Sequence, residues 1–347
     1  MLTIQRTGAL PATIDSVEQL EDLLSTPTQA LIDDGAAIDG DVLILGAGGK
    51  VGPTLAMMAK RAWPAKRVIA VARFSDPDVR RRLAVAGVET IACDLLDRDQ
   101  VARLPDCRNI VYMAGRKFGT AGSEPGTWAM NAVAPAIVGE RFHEARMIAF
   151  STLCVYPFAS IAGPGSSEDD PPTPLGEYAN SCVARERILQ YYSGRNRCPG
   201  RLIRLNYAID LRYGVLHDVA MRVRSGLPID LSTAVANVIW QGDANAWILR
   251  AFRHVATPAT PLNLGLAEPA RIRAVAEAFG REFAVAPVFT GHECPTAWHN
   301  DTRQAARLFG QPTVDLPTMI RWNAAWLRQG LPVYEKPTRY EQREGRF

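Results

Sequence analysis

Apolar residues fall along this chain in two alternating kinds of run. Solid or nearly solid blocks occur at residues 42–45 (VLIL), 67–74 (RVIAVARF), 88–92 (VETIA), 109–114 (NIVYMA), 146–151 (RMIAFS), 201–206 (RLIRLN), 238–240 (VIW) and 261–265 (PLNLG). Blocks this short and this apolar predict strands buried on both faces. Between them the apolar positions recur every three or four residues, as in Val51, Leu55 and Met58, and predict helices. Such segments cover 77–86, 97–103, 128–145, 216–225, 244–252, 271–279 with Gly280 as its stop, and 302–309 stopped by Gly310. Strand and helix in alternation predict an α/β fold, a doubly wound parallel (Rossmann) sheet with helices on both faces. Ligands of such sheets sit at the carboxyl ends of the strands.

The first strand runs straight into GAGGKVG, with Gly46, Gly49 and Gly52 at three-residue spacing and Gly48, Lys50 and Val51 filling the turn. The helix follows at once, and Pro53 is tolerated in its first turn. Strand, glycine turn and helix make a phosphate cradle: glycines let the backbone approach a pyrophosphate, and the free N–H groups of the helix start point at it. The second strand ends in Ala72-Arg73, with no acid until Asp76. An acid there suits a ribose 2′-hydroxyl and an arginine suits a 2′-phosphate. The reading is NADP as cofactor, held by Arg73, with NAD as the alternative.

The remaining segments sort around this core. Residues 1–38 read as a helical arm, with a capping box at Ser16/Gln19 and a second helix start at Thr26-Pro27. It would pack on the core or on a second subunit, so a homodimer stays open. Residues 39–205 form the dinucleotide-binding domain and 206–330 a smaller α/β lobe for substrate. The Pro/Gly/Ser-rich residues 157–174 make a loop at the end of the fifth strand, and 331–347 a tail over the surface or a partner. Apolar content of 47% and charged content of 22% are those of a soluble globular chain. A net charge of +3, evenly spread, gives no argument for nucleic acid, and no apolar run is long enough for a bilayer. Six cysteines without a CxxC pair and five scattered histidines give no metal site and no disulfide scaffold. With no basic-then-apolar leader at the N-terminus, the expected location is cytoplasmic.

Two further stretches carry the chemistry: STLCVYP at 151–157, and GEYANSCVARE at 176–186. Taken with the glycine loop, Asp94, the Ala114-Gly115 strand end, Asn131, Asn206 and Asp243, they resemble the extended short-chain dehydrogenase/reductase superfamily, in its NAD(P)-dependent epimerase/dehydratase branch. The resemblance spans about residues 40–330. It implies that Gly46, Gly49 and Gly52 hold the pyrophosphate, that Asp94 and Leu95 flank the adenine, and that Ala114 and Gly115 line the path to the nicotinamide. It makes Thr152 a hydroxyl for a substrate oxygen, Tyr178 the general acid/base, and Asn131 a helix-bending asparagine beside the site. It implies an oxidoreductase or epimerase/dehydratase acting on a sugar, nucleotide-sugar or sugar-acid derivative.

The chain departs from that pattern at position 182, where Cys182 replaces the lysine four residues after the tyrosine. A free phenol, with its pKa near 10, is about one part in a thousand ionised at pH 7. A nearby cation lowers that pKa; a neutral thiol does not, and a thiolate raises it. Three readings stay open. Lys117, or Arg116 beside it, supplies the cation; or Tyr178 serves only as a proton donor or hydrogen bonder; or the protein is a non-catalytic NADP(H)-binding sensor or scaffold. In the second half, Asn206, Arg212, Tyr213, Trp240 and Gln241 are the substrate candidates, since amide, guanidinium and aromatic groups suit a polyhydroxylated or anionic ligand. Asp243 reads as a helix cap.

Overall fold

The computed structural model describes residues 10–346. Seven strands form the main sheet: β1 (Val42–Leu45), β2 (Val68–Ala72), β3 (Glu89–Ala92), β4 (Asn109–Tyr112), β5 (Arg146–Thr152), β6 (Gly200–Leu205) and β7 (Thr260–Leu264). Their order is β7-β6-β5-β4-β1-β2-β3, and every neighbouring pair is parallel. The winding reverses between β1 and β4, which opens a crevice at the strand ends there. The helices are α1 (Val17–Ser25), α2 (Gln29–Asp34), α3 (Gly52–Ala62), α4 (Pro77–Val85), α5 (Arg98–Ala102), α6 (Glu124–Trp128), α7 (Ala134–Arg141), α8 (Gly176–Asn196), α9 (Val215–Arg224), α10 (Gln241–Arg250), α11 (Ile272–Phe283), α12 (Arg303–Phe309) and α13 (Leu316–Arg328).

The solid apolar blocks are explained by burial on both faces. Val42 and Ile44 of β1 enter one core, with Leu55 and Met58 of α3 and Ile248 of α10. Leu43 and Leu45 enter the other, with Ile137 and Val138 of α7 and Leu189 of α8. A third core lies in the C-terminal lobe, where Val219 of α9, Phe279 of α11 and Trp326 of α13 meet. The arm is part of both. Leu20 and Leu24 join the lobe core and Leu31 and Ile38 the sheet core. Its capping serine is as the pattern predicts, Ser16 Oγ accepting from Gln19 N at 3.1 Å. The second helix starts two residues later than Thr26 suggests, with Thr28 as its cap. The described part of the tail runs over the lobe and returns to the start of α8. It is tied by Tyr334 N to Arg212 O at 2.9 Å and by Arg343 Nη1 to Thr296 O at 2.8 Å.

Two local readings are corrected. α11 does not stop at Gly280; it runs to Phe283, and Ala284 takes the left-handed cap at φ 54°. Gly280 is glycine for space, since a Cβ there would meet Val285 O at 2.8 Å. Asp243 does not cap α10. It is buried in the first turn and accepts from Thr313 Oγ1 at 2.6 Å and Val314 N at 3.0 Å, tying α10 to the segment before α13.

Candidate functional site

The glycine turn sits at the switch point. Gly46 adopts φ +91°, and a Cβ on it would lie 2.5 Å from Ala114 N. A Cβ on Gly52 would collide with the carbonyl of Ala47. Both positions therefore require glycine, and together they bring the end of β1, the end of β4 and the start of α3 into one cradle. From this cradle a groove of about 580 Å³ opens along the strand ends. Gly48 and Gly49 line it, together with exposed Arg73 and Asp76, Asp94 and Leu95, and Ala114 and Gly115. Asp76 Oδ1 is engaged by Asp78 N at 2.9 Å, as the cap of α4. Val51 stands at the N-cap of α3. Lys50 turns its ammonium onto the Tyr213 ring, 2.8 Å from the centroid, buried with no hydrogen-bond acceptor. Burial pulls its pKa down to about 7, with Lys336 and Lys117 adding to the fall and Asp210 and Asp218 opposing it.

At Gly115 the groove meets a chamber of about 240 Å³, and Met113, Gly115 and Arg116 line both. β5 delivers Thr152 to it and α8 delivers Tyr178. Thr152 Oγ1 accepts from Cys154 N at 3.2 Å. Burial drives the Tyr178 phenol well above its ordinary pKa, with Cys182 and Cys154 adding to the rise and Arg185 opposing it. Burial likewise raises the Cys182 thiol, so at neutral pH it is uncharged. Lys117 is half-buried, with its ammonium 5.9 Å from the Tyr178 ring and 5.7 Å from that of Tyr207. Burial lowers its pKa. Arg116 sends Nη2 to Gly119 O at 3.0 Å, so its head lies along its own loop.

Asn131 knots the junction. The helix around it makes a π turn at Ala129–Val133. Its Oδ1 accepts from Arg116 N at 2.8 Å and Arg185 Nη2 at 2.6 Å, and its Nδ2 donates to Ser181 Oγ at 2.9 Å. Deeper along α8, Glu186 takes two bonds from Arg204, at 2.9 and 2.7 Å, and one from Ser151 Oγ at 2.5 Å.

Of the five substrate candidates, only Asn206 lines the chamber. Its Nδ2 donates to Asn300 Oδ1 at 2.7 Å, while its buried Oδ1 has no partner. Arg212 is forked on Asp210 and reaches Glu21 of α1 at 3.0 Å. Trp240 is fully buried edge-on against Trp322, and Gln241 bonds Thr54 of α3 at 3.0 Å. These three hold the arm, the lobe and α3 together behind the sheet, which is why polar and aromatic types occur there. Arg185 is the residue that sequence reasoning missed. Its spacing, seven after Tyr178, puts both on one helix stripe. Among the described residues no three His, Cys, Asp or Glu side chains gather to hold a metal, and no helix is long and apolar enough to cross a membrane.

The model of the NAD dependent epimerase/dehydratase family matches residues 42–229, more than half of the chain, and the chain belongs to that family. Solved structures with the same architecture include UDP-glucuronic acid 4-epimerase from Bacillus cereus in complex with UDP-glucuronic acid and NAD. It is 18% identical with TM-score 0.69, over 83% of this chain and 99% of that one. MoeE5 in complex with UDP-glucose and NAD is 20% identical with TM-score 0.68, over 84% and 99%. UDP-glucose 4-epimerase from Thermotoga maritima with UDP-glucose is 14% identical with TM-score 0.67, over 84% and 99%. At these identities the likeness is one of fold. No curated protein matches the sequence.

Proposed function

We propose that this chain is an NAD(P)-dependent oxidoreductase or epimerase/dehydratase acting on a sugar, nucleotide-sugar or sugar-acid derivative. One observation carries the reading: groove and chamber are continuous at Gly115, so a dinucleotide bedded on the glycine turn ends beside Tyr178 and Thr152. The cradle that a Cβ at Gly46 or Gly52 would fill suits a pyrophosphate. Asp94 and Leu95 would flank the adenine, and Ala114, Gly115 and Asn131 the nicotinamide end. Exposed Arg73, with Asp76 committed to capping α4, favours NADP over NAD. When bound, the dinucleotide supplies hydride transfer.

The chain's own residues do the rest. Tyr178 holds a proton at Oη, and its burial keeps it there until a substrate oxygen takes it. Thr152 Oγ1 orients that oxygen. Asn206 Oδ1, an acceptor without a donor, suits a sugar hydroxyl. Lys117 at the chamber wall suits an anionic group. At about 240 Å³ the chamber is smaller than the roughly 300–1,000 Å³ of pockets that engulf drug-sized ligands. It takes one sugar ring, any nucleotide lying outside. UDP-sugars in the named neighbours support that substrate class.

The test is to mix the protein with NADPH or NADH and a panel of keto-sugars, following reduced-nicotinamide absorbance, and with UDP-sugars, following isomers by chromatography. Turnover that falls about 10²–10⁴-fold in Tyr178→Phe supports the reading. Tight dinucleotide binding without turnover, indifferent to Tyr178→Phe, supports the sensor instead, a reading favoured by the neutral thiol at 182.

A further inference from the structure

Arg185 is a buried charge to which the proposed reaction gives no task. It is 5% exposed. Nη1 donates to Phe150 O at 3.0 Å and Nη2 to Asn131 Oδ1 at 2.6 Å, both neutral acceptors. Nε is buried without a hydrogen-bond partner. The adjacent carboxylate, Glu186, is committed to Arg204 at 2.7 Å, and no carboxylate pairs with Arg185 among the described residues. Beyond these two bonds only the Tyr112 ring, 5.9 Å away, offsets the charge, and a buried ion without a counter-charge is disfavoured. Such a group persists where an anion is due to appear beside it.

The geometry says where. Seven helical residues make nearly two turns, about 10 Å of rise, so Arg185 shares a stripe with Tyr178. Long helical side chains lean toward the N-terminus, which brings the guanidinium back toward the turn that holds Cys182. It presses on the end of β4, where a Cβ on Gly115 would lie 2.6 Å from Nη2. It therefore lines the chamber at the junction with the groove.

We propose that Arg185 is the positioning cation of this site, supplying to Tyr178 the positive field that a thiol at position 182 cannot. The proposal rests on Tyr178 as the proton-transferring group. When the phenol gives its proton to a substrate oxygen, the negative charge left on Oη arises in the chamber that the guanidinium also lines; no bond to Arg185 forms or breaks. The titratable and charged groups packed around this pair are Cys182 and Glu186 on α8, Tyr112 at the end of β4, Arg116 and Lys117 after β4, Cys154 after β5, and Tyr207. Lys117 is the rival cation. Burial lowers its pKa, which weakens its hold on the charge. Arginine keeps its charge throughout.

The test replaces Tyr178 with 3,5-difluorotyrosine, a more acidic phenol, and follows its ¹⁹F shift against pH in cofactor-free protein. Arg185→Met and Arg185→Gln are expected to raise its apparent pKa by about one unit or more, Arg185→Lys by no more than a few tenths, and Lys117→Met by less than the neutral Arg185 variants. Cys182→Lys in the Arg185→Met chain is expected to bring the pKa back down. Arg185→Gln retains a hydrogen-bond donor and covers a failure of Arg185→Met to fold, which near-UV circular dichroism reports. Neutral variants that fold and titrate as the parent overturn the proposal, as does a larger shift in Lys117→Met. A parallel titration of wild-type protein with NADPH, read by its fluorescence, separates the two readings. Absence of binding there and in the same titration with NADH overturns the proposed function, whereas an unchanged phenol overturns only the role of Arg185.

Discussion

The two halves of the cleft are made of different material. The groove is main chain: Gly46 and Gly52 exclude side chains so that β1, β4 and α3 converge, and what they offer is backbone N–H. The chamber is side chain: half-buried Tyr178 and buried Thr152 and Arg185 line it, Asn131 holds Arg185, and the Glu186–Arg204 pair lies beneath. A main-chain site tolerates no added atom, but its chemistry does not depend on which charges surround it. A side-chain site can exchange one cation for another a turn further along a helix, provided the layer beneath holds it still. Here that exchange is Cys182 with Arg185, and nothing comparable is open to Gly46.

The comparison can be broken in order of size. Gly46→Val should be the most damaging change. It puts a side chain at φ +91° and at 2.5 Å from Ala114 N, costing roughly 3 kcal/mol or more and abolishing dinucleotide binding. Urea unfolding with a fluorescence titration reads both, and a stable, binding Gly46→Val protein would mean the groove is not the main-chain cradle described. Glu186→Gln should come close behind, at roughly 3–5 kcal/mol, because Arg204 is left charged and buried. Its dinucleotide affinity should change far less than its stability, since the groove does not depend on it. Equal losses of both would erase the distinction between the two halves.

The smallest effect belongs to Lys50, the side chain of the glycine turn that reaches toward the lobe. Its folded pKa, about 7, lies below the ordinary 10.5. Between those values the unfolded chain binds the proton and the folded chain does not, so its presence disfavours folding most below pH 7 and not at all above about 10.5. Lys50→Met should therefore raise Tm at pH 6.5, with the gain shrinking as pH approaches 10. A gain independent of pH would show that packing on Tyr213, and not the buried charge, sets the effect.

How much of this the sequence discloses follows the same division. The main-chain half is local: VLIL, GAGGKVG and the helix after it lie within some twenty residues, and glycine spacing reports backbone geometry directly. The strands of the sheet are legible because burial on both faces leaves solid apolar blocks. The chamber is not local. Arg185 escapes a reading that looks four residues after Tyr178 and to the loops, although the stripe Tyr178, Ser181, Cys182, Arg185 has helical spacing and is polar where a buried face should be apolar. Arg212, Trp240 and Gln241 have the chemistry of ligand-binding groups. They are drawn instead into contacts with Glu21, Trp322 and Thr54, partners far away in sequence. Gly280 has the look of a helix stop, yet serves the close passage of Val285.

The central claim is that groove and chamber are one site, joined at Gly115. A crystal structure of the protein grown with NADP tests it most directly. The account predicts the pyrophosphate against residues 46–52 and the nicotinamide at Gly115, its ring turned toward Tyr178 with Arg185 alongside. A nucleotide bound elsewhere, or one whose nicotinamide points away from Tyr178, would contradict it.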